Sequence, residues 1–84
     1  MALLNLANCY QELNQHQKSI GIYTDMIKGR QNPGIAHYYR GLAYSRIVDS
    51  SQACSDFKKA LEYDILQAKK LHRRYCLKIN DEED

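Results

Sequence analysis

Apolar residues in the first part of the chain fall at Leu3, Leu6, Ala7, Tyr10 and Leu13, at steps of three and four. That spacing lines one face of an α-helix and excludes the alternation of a strand. A polar break, Asn14-Gln15-His16-Gln17, precedes a second stripe at Ile20, Tyr23, Met26 and Ile27. The stripe stops near Gly29, where glycine predicts a left-handed helix exit. Asn32-Pro33-Gly34 is the strongest punctuation, because proline disfavours helix in the residue before it and glycine opens positive φ. Beyond it, Ile35, Tyr38, Leu42, Ala43 and Ile47 form a third stripe, and Ala53, Phe57, Ala60 and Leu61 a fourth. Asp49, Ser50 and Ser51 supply candidate N-caps for that fourth helix. The whole predicts an all-α fold of two helix-turn-helix units.

The two units align on each other at one constant offset: Ala7 meets Gly41, Tyr10 meets Tyr44, Ser19 meets Ala53, Tyr23 meets Phe57 and Ile27 meets Leu61. Small residues stand opposite small and large opposite large. On these residues and at this period the chain resembles the tetratricopeptide repeat family, whose unit is a 34-residue helix-turn-helix. The resemblance covers residues 2–64, with repeat one at 2–33 and repeat two at 34–64. Gly41, Tyr44, Ala53, Phe57 and Ala60 match the family pattern, whereas Ala7, Ser19 and Met26 depart from it in the first unit. It implies a helical repeat of α-solenoid type, in which the small Gly41 sits against the facing helix near Ala53.

Residues 65–80 follow as a C-terminal helix and 81–84 as an acidic tail. By the family analogy the helix folds back as a solvating cap, with Leu66, Leu71, Tyr75 and Ile79 inward and its basic residues outward. The proline expected after the second unit is replaced by Ile65, however, so one continuous helix from about Ser51 to Asn80 is the alternative. That arrangement would leave the second unit open and favour a homodimer through residues 65–80.

At 84 residues the chain is one domain at most, too small for a deep catalytic core. The longest uncharged run, Met1 to Gln11, is broken by Asn5 and Asn8 and is too short and polar for a membrane span. No basic flank follows Met1, so the start does not read as a signal peptide, and a cytoplasmic setting is expected. Cys9, Cys54 and Cys76 show no metal-ligand spacing and read as buried thiols in a reducing compartment. His16, His37 and His72 are scattered and expected at the surface. With no paired carboxylates, activated nucleophile or phosphate-binding glycine loop, the sequence predicts neither an enzyme nor a cofactor or metal.

Charge adds a partner question. Residues 1–64 hold seven basic and six acidic side chains, residues 65–79 five basic and no acidic, and residues 81–84 four acids. The resemblance implies a concave groove lined by the first helix of each unit. It would place Asn5, Asn8 and Glu12, then Tyr38, Tyr39, Leu42 and Arg46, then Lys69, His72 and Arg73 on that wall. Amides can bond a peptide backbone, tyrosines give rigid contact area, and a basic end holds a carboxylate. A non-catalytic module that binds a peptide or partner protein, as a scaffold does, is therefore expected. Some relatives in that family clamp acidic chaperone C-terminal tails. Asn8, Lys69 and Arg73 match that clamp, but Leu4 and Tyr39 replace two of its other members. Nucleic-acid binding through Lys69-Lys70-Leu71-His72-Arg73-Arg74 is the other alternative, disfavoured by the acidic tail and a pI of about 8.5.

Overall fold

The computed structural model describes residues 2–77, and all regular elements in them are helical. Helices α1 (Ala2–Glu12) and α2 (His16–Lys28) form one hairpin, and α3 (Pro33–Arg46) and α4 (Ser50–Glu62) a second. A short α5 (Ala68–His72) runs on into a π-helical turn (Arg73–Leu77). The residues expected at 78–84, including Ile79 and the acidic tail, lie outside the described residues.

The two hairpins turn in the same way. Left-handed backbone falls at Asn14 and Val48 (φ 63° and 61°), and at Arg30 and Asp64 (φ 57° and 65°), and each pair keeps the offset that aligns the two units in sequence. Around the second pair, the chain closes with the same bonds. Gln31 N–H donates to Met26 O (2.8 Å) and Arg30 N–H to Ile27 O (3.1 Å), while Ile65 and Asp64 donate to Ala60 and Leu61 (3.0 and 2.9 Å). These paired bonds satisfy the last carbonyls of a helix. The exit residue of α2 is thus Arg30, correcting the expectation for Gly29. Gly29, the C-cap after Lys28, has φ −85° and still donates to Asp25 O at 2.9 Å, so the left-handed step falls one residue later. Among the N-cap candidates Asp49 serves, its carboxylate accepting from Gln52 N–H at 3.3 Å. Pro33 begins α3, where its fixed φ fits and its missing N–H costs nothing.

Burial follows the predicted stripes with one systematic exception. Ala7, Tyr23, Met26 and Ala36 form one buried cluster, flanked by Leu4, Ile22, Ile27 and Tyr39. Ala53, Phe57, Ala60 and Ala68 form another, flanked by Tyr38, Leu42, Leu71 and Tyr75 among others. Helix α3 joins the two, because Tyr39 packs on the first cluster and Tyr38 on the second. The exception is the first stripe, where Leu3, Leu6 and Leu13 remain 39 %, 46 % and 64 % exposed.

Gly41 sits against the facing helix α4, where it meets the Phe57 ring: a Cβ at Gly41 would lie 2.7 Å from Phe57 Cε1 and 2.9 Å from Cδ1. Phe57 is fully buried, so the ring has nowhere to move. Gly41→Leu is therefore expected to cost about 1–3 kcal/mol or more by overpacking. Gly21→Ala, melted in dilute solution, is its control, since nothing lies within 4 Å of a Cβ there and alanine is the better helix former. Thermal melts should move in opposite directions for the two variants. Equal melts would refute the Gly41–Phe57 packing.

The C-terminal segment is not a continuation of α4. That helix ends at Glu62, and α5 with its π-helical turn packs back on α4 through Ala68, Leu71 and Tyr75. The end of the second unit is covered, which removes the reason for pairing through residues 65–80. Leu66, expected inward, is instead 70 % exposed in the connecting turn. The cysteine expectation is also corrected. Cys54 on α4 and Cys76 on the π-helical turn form a disulfide with Cα atoms 5.0 Å apart, and Cys9 is a free, exposed thiol.

Candidate functional site

The groove begins on α1, where Asn8, Gln11 and Glu12 share one helical face. Across from them α3 presents Tyr39, Leu42 and Arg46 at the same kind of spacing. Together these six side chains line an open depression of about 230 Å³. Five of them, Asn8, Glu12, Tyr39, Leu42 and Arg46, are residues expected on the groove wall that the fold brings to one place.

Each wall is held from behind. Buried Tyr23 donates its hydroxyl to Asn8 Oδ1, which occupies the acceptor end of that amide. The end left for a ligand is the NH₂ donor, suited to a peptide carbonyl. Burial, and secondarily the phenol of Tyr39, push the Tyr23 hydroxyl well above the usual tyrosine range, so it stays a donor. Gln11 Nε2 donates to the Tyr39 carbonyl (3.4 Å), and its Oε1 pairs with His16 Nδ1 (3.2 Å), tying α1 to α3. The Tyr39 ring stacks on Tyr23 (centroids 6.0 Å, 15°) and meets the edge of Tyr38 (5.2 Å, 69°). An aromatic series continues from Tyr38 through Phe57 to Tyr75 (6.3 and 5.7 Å). Those rings rigidify the groove wall, and a rigid wall binds at a smaller entropic cost.

The remaining expected residues lie apart from this depression. Asn5 is exposed on α1, and Tyr38 is half-buried against the second cluster. Lys69 and Arg73 are exposed and His72 is half-buried on the C-terminal segment, outside the lining. Lys69, Lys70, Arg73 and Arg74 enter no ion pair among the described residues, and Arg74 sits over the Tyr75 ring at 5.9 Å.

One polar cluster was not foreseen from the sequence. Asp56 on α4 is 2 % exposed and accepts from Arg40 Nε (2.8 Å) and Nη2 (2.7 Å). His37 Nδ1 donates to Asp56 Oδ1 at 2.9 Å, since a carboxylate can only accept. Arg40 Nη1 reaches on to Thr24 Oγ1 of α2 at 3.0 Å. The hydrogen bonds to Asp56 hold the Arg40 guanidinium above its usual range, against the burial that would lower it. His37, expected at the surface, is 8 % exposed and stacks on Tyr63 (6.4 Å). A signal was present, because Asp56 falls between Ala53, Phe57 and Ala60 on the inward stripe. Arg40 neutralises the Asp56 carboxylate on which His37 sits. The cluster locks α2, α3 and α4 together.

Compared with known proteins, the chain matches no family model, no curated protein and no solved structure. Among the described residues no helix is long and apolar enough to cross a membrane, and no cluster of metal-binding side chains occurs.

Proposed function

We propose that the chain is a non-catalytic interaction module of the tetratricopeptide kind, which binds an extended peptide of a partner protein in the groove between α1 and α3. The observation that carries this reading is the convergence of Asn8, Gln11 and Glu12 with Tyr39, Leu42 and Arg46 on one depression. The hairpin turns, which recur at the offset of the sequence alignment, support the repeat architecture behind it. The lining offers amide donors for a backbone, one ring and one aliphatic side chain for an apolar residue, and one charge of each sign. A peptide with an apolar side chain and an acidic residue or terminal carboxylate suits the amides, the apolar pair and Arg46. With so few anchoring side chains, micromolar strength is expected.

Titration of such a peptide, with a neutral peptide as control, tests the reading. Arg46→Ala should weaken acidic-peptide binding by roughly tenfold or more, because a hydrogen bond to a charged group contributes about 1.5–3 kcal/mol. Arg46 is exposed, so folding should be untouched. A second reading rests on the cations of the C-terminal segment, which present Lys69, Lys70, Arg73 and Arg74 as a phosphate-binding face. If single-stranded RNA binds more tightly than the peptide, with steep salt dependence, and Lys69→Ala with Arg73→Ala abolishes it, the groove reading is wrong.

A further inference from the structure

The outer face of the first hairpin is built for a neighbour. In the second hairpin, Arg40 crosses from α3 onto α2 and Ala43 is fully buried. Their counterparts in the first hairpin, Leu6 and Cys9, are exposed. Beside them α2 presents Lys18, Gly21, Ile22 and Asp25, at the i, i+3, i+4, i+7 spacing of a single stripe. With Leu6 and Tyr10 of α1 these four line an open cavity of about 450 Å³. Lys18 Nζ lies over the Tyr10 ring at 5.4 Å and makes no ion pair among the described residues.

We infer that this face is a self-association site, at which a second copy of the chain docks with the two α2 helices antiparallel. The order of residues selects that occupant. Lys18 and Asp25 stand at the two ends of the stripe, about 10.5 Å apart along the helix, and Gly21 and Ile22 mark its middle. A twofold axis through that middle sets each Lys18 opposite Asp25 of the partner subunit, and both pairs form at once. Gly21, with open space where a Cβ would be, allows the helices their closest approach at the axis. The apolar rims, Leu6 and Tyr10, then cover each other. A different partner would need the complementary order from an unrelated sequence, whereas a second copy supplies it by symmetry.

The face is separate from the groove. Asn8, Gln11 and Glu12 point from α1 roughly half a turn away from Leu6 and Tyr10, so peptide binding and self-association can fail independently.

Sedimentation equilibrium across roughly 1–500 µM at low salt reads the outcome, a range that covers the weak association typical of small interfaces. The wild-type chain should reach a dimer within it. Lys18→Glu and Asp25→Lys should each weaken association by about tenfold or more, because every single change sets two like-charged contacts against each other. The double variant Lys18→Glu/Asp25→Lys restores opposite charges and should return to within about threefold of wild type. Both side chains are exposed, and circular dichroism should confirm that each variant is folded. A wild-type monomer throughout the range, or a double variant no better than either single one, would overturn the inference.

Discussion

Asp56→Ala should lower stability by about 3–5 kcal/mol, the usual cost of stranding the partner charge of a buried pair. A chain of this length holds only about 4–13 kcal/mol in all, so the variant is expected to be partly unfolded at 37 °C. The magnitude follows from geometry. The Asp56 side chain is 3 % exposed and the Arg40 side chain 18 %, so water reaches little of either group. Removing the carboxylate leaves the Arg40 guanidinium and the His37 ring without their acceptor, and loosens the link to Thr24. High salt should not change the loss, because buried charges are poorly screened. By contrast, the pair Lys59–Glu62 is more than half exposed on both sides at 3.5 Å, and its removal should be close to silent. Chemical denaturation of Asp56→Ala and Glu62→Ala side by side decides the matter. A similar small loss in both would show that the network contributes nothing beyond surface charge.

Reduction of the disulfide should lower stability by about 3 kcal/mol, and the melting temperature by on the order of 10–20 °C. Cys54 and Cys76 are 22 residues apart in sequence, and closing a loop of that size restricts the unfolded chain. The bond also holds the π-helical turn on α4, where Tyr75 lies 5.7 Å from the Phe57 ring. Opening it should let the C-terminal segment detach before the two hairpins unfold, so amide exchange should rise first in residues 68–77. Cys54→Ser/Cys76→Ser should reproduce the reduced protein. Thiol titration of the oxidised, unfolded chain should find one reactive cysteine, Cys9, rising to three after reduction. Three reactive thiols before reduction would show that the pair does not form. Disulfides persist in oxidising surroundings, so in a reducing compartment the weaker state is the relevant one.

Much of the helical layout was legible in the sequence because helical periodicity and turn punctuation are local signals. In the second hairpin Asp49 caps and Phe57 fills as their chemistry dictates, whereas the burial of His37 and Asp56 was not read. What escaped is tertiary. Whether residues 65–77 extend or fold back depends on the apolar surface of Ala60 and Phe57 that they can cover, which no local residue reports. The Cys54–Cys76 bond depends on that same fold-back, so spacing alone could not show it. The left-handed exits fell on Arg30 and Val48, residues for which positive φ is costly, because the paired closing bonds outweigh local preference. In the groove, residues of α1 and α3 that the family resemblance set on one wall do converge. The contribution of Gln11 was missed, because its role rests on a bond to the carbonyl of Tyr39 across 28 positions of sequence.

The groove is tested most directly by mapping a bound peptide residue by residue with heteronuclear NMR. The probe is a short synthetic peptide containing leucine and acidic residues with a free C-terminal carboxylate, titrated into the oxidised protein. The largest shifts are expected at the side-chain amides of Asn8 and Gln11 and the backbone amides of Tyr39, Leu42 and Arg46, with Lys70 and Arg74 little changed. Shifts confined to residues 69–74, or none at millimolar peptide, would contradict binding in the groove.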